Sequence, residues 1–227
     1  ALRRTLRFEL QTFVCEGEYE KGLQKILETF LRNLGQPEQP GVWVSGFYGC
    51  GKSILVKVLR YLWADYEFPD KATARGLVRL PKDIKALLIE LSTRGKQFGG
   101  LHAASGKLGA GAGDSIRLAA LSIVFASAGL PRDYAQARFV IWLKQNGYYE
   151  TVRQQVEAQG KALDQELRHL YASPHIAQGL LNADPNFAPS VKEVRSLIKA
   201  QFSTPADITD DEMLAVMRDV LVGTDGN

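Results

Sequence analysis

The sequence predicts an α/β fold that begins with a strand, a glycine turn and a helix and continues into a large, mostly helical second half. Two observations carry that expectation. A short apolar, β-prone run at Val42–Ser45 leads straight into the glycine-rich turn Gly46–Ser53, and helical periodicity follows at once. From Ser115 onward every apolar pattern has helical spacing, with serine, threonine or proline at the starts and glycine at several ends.

Taken in chain order, Leu6–Val14 alternates, with Leu6, Phe8 and Leu10 on one face and Arg7, Glu9 and Gln11 on the other. Such alternation predicts a half-buried strand or extended arm. Leu23, Ile26, Leu27, Phe30, Leu31 and Leu34 follow helical spacing, and Gly35 fits the end of that helix. Gly35–Gly41 holds two prolines and is a loop. Val42–Ser45 is then expected as a buried strand, and a helix from about Lys52 to Ala64 offers Leu55, Val56, Val58, Leu59 and Leu62 for packing. Ile84, Leu87, Leu88 and Leu91 predict a helix over Pro81–Arg94. A glycine-rich segment spans Gly99–Gly113, with Asp114 as the expected N-cap of the next helix. Ser115–Ala128 is apolar nearly all round and predicts a deeply buried helix. Phe139–Leu143 and Val152–Val156 lie in helices closed by Gly147 and Gly160. Ser173-Pro174 is a cap with a first-turn proline, and Ser190…Glu193 and Thr209…Glu212 have capping-box spacing. The segments so defined are an arm and helix at 1–40, a phosphate-loop segment at 41–114 and a helical region at 115–227.

Bulk properties exclude several classes. Apolar residues at 45% and charged residues at 23% are ordinary globular values. Charges interrupt the apolar residues of Leu2–Leu10, unlike a signal peptide. Leu118–Leu130, the longest apolar stretch, is shorter than the roughly 20 residues a bilayer requires. Two cysteines, Cys15 and Cys50, are too few for a disulfide framework and lack metal-ligand spacing. A soluble, cytoplasmic protein without a membrane partner is expected. The first residue is Ala and the last five are Gly-Thr-Asp-Gly-Asn, so the chain reads as a piece of a longer protein. Net charge is +3, but Lys71–Lys107 holds eight basic residues against two acidic ones, a local excess able to meet nucleic acid phosphates. A solvated face is the plainer reading of that excess. His102, His169 and His175 are scattered, with no metal set evident.

The chemistry lies in GFYGCGKS, Gly46–Ser53, which fits G-x-x-x-x-G-K-[ST]. A chance match in a chain of this length is on the order of 1% from average residue usage. Gly46, Gly49 and Gly51 let the backbone curl close to an anion. Phe47, Tyr48 and Cys50 complete the curl, and the N–H groups through Lys52, Ser53 and Ile54 face phosphate at a helix N-terminus. Lys52 is the expected catalytic residue, reaching the β- and γ-phosphates, and the Ser53 hydroxyl is the expected ligand of Mg²⁺. ATP with Mg²⁺ is therefore the expected cofactor, on a partial P-loop NTPase core. Hydrolysis needs an acid at the end of a second buried strand. The nearest match, Leu87-Leu88-Ile89-Glu90, has the spacing of a helix instead. A small-molecule P-loop kinase and a non-hydrolysing scaffold stabilised by nucleotide are the competing readings. Cys50 also admits a redox switch, since a helix start and Lys52 flank its thiol.

The stretch Pro40–Trp63, PGVWVSGFYGCGKSILVKVLRYLW, resembles the P-loop ATPases of bacterial BREX phage-defence systems, the BrxC family, to which PglY is related. The resemblance continues through Gly99–Ala119, Ala137–Lys161 and Glu166–Pro174. Cys50 stands where that family usually has Ser, and Ile54 where His is common; neither is essential to phosphate binding. The resemblance implies an AAA+-like core, an acidic second motif lying beyond this region, and a role in anti-phage defence. The partners it implies are ATP, the other BREX defence proteins, and DNA reached directly or through the complex. A homo-oligomer is left open. It also implies that residues upstream of the first strand, here Phe13, Val14 and Tyr19, cradle adenine.

Overall fold

The computed structural model describes residues 2–36, 39, 41–108 and 115–222. Among the described residues about 62% are helical and there is no sheet. The only extended pairings described are isolated bridges, Val14 with Arg79 and Glu67 with Thr73. The protein is thus all-helical, which overturns the expected α/β fold with a partial, AAA+-like P-loop NTPase core. The chain divides into two compact units, residues 1–103 and 104–227.

Unit 1 starts with α1 (Leu2–Thr12), where a strand or extended arm was expected. The pattern that decides is Leu6, Leu10 and Phe13, all buried at helical spacing, while Phe8 is 66% exposed. Alternation and helical periodicity share Leu6 and Leu10, so only the neighbours of the segment could arbitrate. Next comes α2 (Glu18–Asn33), burying Leu23, Leu27 and Leu31, with Gly35 at positive φ just past its end. Leu55, Val58 and Leu62 form the buried stripe of α3 (Lys52–Trp63). A short α4 (Ala74–Leu77) is capped by Thr73, and α5 (Lys82–Gly95) buries Ile84, Leu88 and Leu91. These stripes meet in one apolar core.

Arg75 ties that core together from within. Its guanidinium donates to the carbonyls of Leu62 (2.7 Å), Trp63 (2.8 Å) and Leu88 (2.9 Å) and to Ser92 Oγ (2.7 Å). One side chain thereby satisfies the last carbonyls of α3, which a helix leaves without intrahelical donors, and joins them to α5. Burial holds the Arg75 pKa below its ordinary value, opposed by the nearby Asp65 carboxylate. Arg94 similarly donates to Leu31 O at 2.6 Å, linking α5 to α2. Two members of the basic Lys71–Lys107 stretch thus serve the fold.

Unit 2 contains α6 (Ile116–Ser127), α7 (Tyr134–Gln145), α8 (Tyr149–Ala158), α9 (Leu163–Leu167), α10 (Pro174–Ala183), α11 (Val191–Gln201) and α12 (Asp210–Val222). Asp114 lies outside the described residues. The N-cap of α6 is Ser115, whose side chain accepts from Leu118 N. Only one face of α6 is buried, through Ala119, Leu121 and Phe125, and Ile116 is 75% exposed; the all-round apolar pattern overstated its burial. Helices α8 and α10 pack so closely that a Cβ on Gly179 would fall 2.9 Å from the Val152 Cα. Phe139 and Trp142 anchor an aromatic core with Tyr148, Phe187 and Phe202.

Candidate phosphate-binding site

Val42–Ser45, expected as a buried strand, is neither a strand nor buried: Trp43 is 89% exposed and Val42 is exposed as well. A lone strand has no ladder to satisfy its backbone, and no partner strand lies among the described residues. The glycine turn nonetheless feeds directly into α3, so half of the expected setting remains. Phe47 and Tyr48 stand out into solvent, 90% and 106% exposed.

Lys52 opens α3 and folds back over the turn. Its ammonium donates to Gly46 O at 2.8 Å and Phe47 O at 2.6 Å, and it lies 3.5 Å from Cys50 Sγ. The positive charge is therefore held inside the curve of the loop. Gly46 allows this curl by close approach, since a Cβ there would sit 2.8 Å from Cys50 Sγ. At the other end Gly51 caps α3 in the left-handed region, φ 81°, and contributes no side chain to the cap. Its carbonyl accepts from Ile54 N (2.9 Å) and Leu55 N (3.0 Å). The first N–H groups of α3 have no intrahelical acceptor and carry the positive end of the helix dipole. Ser53 is exposed on that same first turn. Gly46, Phe47, Tyr48, Gly49, Cys50, Gly51, Lys52, Ser53 and Ile54 thus form one continuous bend. Among them the structure brings Lys52 and Cys50 together and turns Phe47 and Tyr48 away.

Beside the bend opens a cavity of about 830 Å³, lined by Tyr19, Gly22, Lys25, Ile26 and Thr29 of α2, by Gly41–Ser45, and by Cys50, Lys52 and Leu55. Its size falls in the range of small-molecule and cofactor sites. Two lysines, Lys25 and Lys52, and two glutamates, Glu16 and Glu18, line it as well. Of the three residues expected to cradle adenine, only Tyr19 lines this cavity. Phe13 is buried with its ring centroid 5.6 Å from that of Tyr19, and Val14 is exposed elsewhere. The Tyr19 hydroxyl donates to Cys50 O at 2.6 Å. Nothing in the sequence signals this contact. It joins residues 31 positions apart, and no local pattern marks such a pair. Trp43, expected within a buried strand, stands at the cavity edge instead.

Glu90 sits on α5 and pairs with Arg94 at 3.6 Å. Both cysteines are free, Cys15 buried and Cys50 exposed. Burial, then the nearby Glu20 carboxylate, pushes the Cys15 thiol pKa up. No group of three or more His, Cys, Asp or Glu among the described residues is placed to hold a metal ion. A cation at this site would be held by Ser53 together with the phosphates it accompanies. No helix among the described residues is long and apolar enough to cross a membrane. No protein-family model matches the chain, and no solved structure matches it.

Proposed function

We propose that the chain binds the phosphates of a nucleoside triphosphate, ATP with Mg²⁺, in the bend Gly46–Ser53. One observation supports this above the others: Lys52 is held by backbone carbonyls inside a curve that ends at the N-terminus of α3, beside a cavity of about 830 Å³. An incoming phosphate replaces the neutral carbonyl acceptors of the ammonium with charged oxygens and gains the amides of the first turn. Ser53 and the phosphate oxygens supply ligands for Mg²⁺. On the resemblance carried by Pro40–Trp63 and the flanking segments, the nucleotide state governs assembly or DNA engagement of a BREX-type anti-phage defence ATPase. Other defence proteins are its partners.

The test is calorimetric titration of the Lys52→Ala variant with MgATP. Removing an ammonium that makes two or more charge-assisted hydrogen bonds is expected to weaken binding by about a hundredfold or more, with the helical circular dichroism unchanged. Equal affinity in variant and parent would remove the site.

A further inference from the structure

A role for the contact between Tyr19 and the loop rests on the phosphate-binding reading of Gly46–Ser53. The Tyr19 hydroxyl donates to the carbonyl of Cys50 at 2.6 Å. A trans peptide is planar, so its C=O and N–H point in opposite directions. Fixing the Cys50 carbonyl toward Tyr19 therefore fixes the Gly51 N–H away from it. The carbonyl of Gly51 is already committed to the first turn of α3 through Ile54 N and Leu55 N. The Cys50–Gly51 peptide is thus the joint between loop and helix, and its orientation decides which dipole the anion meets. In one orientation a phosphate meets the Gly51 N–H; in the reverse it meets the Cys50 carbonyl oxygen and is repelled.

We infer that Tyr19 is a positioning residue of the phosphate loop, holding the Cys50–Gly51 peptide with its amide free for the anion. The ring is itself held, tilted against buried Phe13 at 5.6 Å. The approach is close enough to dictate glycine at the joint: a Cβ on Gly51 would lie 2.0 Å from the tyrosine oxygen, in addition to the strain of φ 81°. Tyr19 thereby acts on the phosphates through the backbone, whereas a base-cradling residue would act on adenine.

Tyr19→Phe keeps the ring and removes only the hydroxyl. Calorimetric titration of the 227-residue chain with sodium tripolyphosphate, and separately with MgATP, separates the two roles. The expected result is about fivefold weaker binding of both ligands, by the same factor, consistent with the loss of one hydrogen bond. The melting temperature of the ligand-free protein should stay unchanged, which a merely structural role would not allow. Unchanged tripolyphosphate affinity in the variant overturns the inference while leaving the site intact. Weaker ATP binding with unchanged tripolyphosphate binding overturns it in favour of a contact to the base. A parent chain that binds neither ligand removes the phosphate site, and the inference with it.

Discussion

Unit 2 closes the N-termini of five helices with its own side chains and leaves α8 and α9 without them, whereas unit 1 caps the short α4 and leaves its longer α2, α3 and α5 without. Ser115, Asp133, Ser173 and Ser190 each accept from an amide in the first turn of α6, α7, α10 and α11. Thr209 and Glu212 bond reciprocally at the start of α12, Thr209 N to Glu212 Oε2 at 2.7 Å and Glu212 N to Thr209 Oγ1 at 3.2 Å. In unit 1 the residues before α2, α3 and α5 are Gly17, Gly51 and Pro81, and none makes a side-chain cap. The difference teaches where an anion can be received. A capped first turn has already committed its amides to an internal oxygen; an uncapped one keeps them for a ligand. Among the described helices, it is at α3 that an open first turn coincides with a lysine folded into a glycine bend.

The units also differ in how they tie helices together. Unit 1 uses the guanidiniums of Arg75 and Arg94, Arg75 with four bonds, while unit 2 uses single side-chain bonds such as Arg138 to Asp219 and Asn182 to Gln155, and its caps each act within one helix. Breaking each device should therefore cost different amounts. Arg75→Ala removes four hydrogen bonds, to the carbonyls of Leu62, Trp63 and Leu88 and to Ser92 Oγ, and is expected to destabilise unit 1 by about 3 kcal/mol. Hydrogen exchange should report it, with α3 and α5 losing protection first. Retention of their protection would show that the apolar stripes alone hold these helices.

Ser173→Ala should cost less, about 1 kcal/mol, the usual value of an N-cap. Its effect is expected in the amides at the start of α10, read by the same exchange measurement. A loss as large as that of Arg75→Ala would erase the contrast between a guanidinium with four bonds and a cap within one helix.

The smallest effect is that of acid. Hydrogen bonding by Ser115, then by the Ile208 amide, and the charge of Arg117 hold the Asp207 carboxyl below its ordinary pKa; the amide and hydroxyl of Thr209 do the same for Glu212. A pKa lower in the folded than in the unfolded state stabilises the fold above the unfolded pKa, and that contribution is lost as pH falls through the folded one. Unit 2 should therefore loosen slightly as pH falls from about 5 through the carboxylate range. Glu212→Gln and Asp207→Asn should flatten the slope in a pH series of urea melts. An unchanged slope would mean that these exposed pairs contribute nothing measurable.

Much of the candidate site was legible in sequence because its parts are contiguous. Gly46–Ser53 lies in one stretch, and the helix after it has a plain apolar stripe. The glycine after α2, the start of α10 at Ser173-Pro174 and the capping box at Thr209 were equally local and stand where their residues imply. The illegible features were non-local. Leu6–Val14 satisfied two periodicities at once, and the exposure of Phe8 between buried Leu6 and Leu10 marks the helix. Tyr19 reaches Cys50 across 31 positions, and Arg75 joins two helices with one side chain.

By itself, then, the sequence determined the glycine bend that leads into α3, the helical character of the second half, and the caps at Ser173, Ser190 and Thr209. A helix bonds to itself, and a cap bonds within its own first turn, so both are encoded locally. Tertiary structure alone decided that Val42–Ser45 is not a strand, that α1 is a helix, and that Tyr19 rather than Phe13 or Val14 meets the loop. A strand needs a partner from elsewhere in the chain to satisfy its backbone, and a side chain that acts at a distance is placed only by the packing of the helix that carries it.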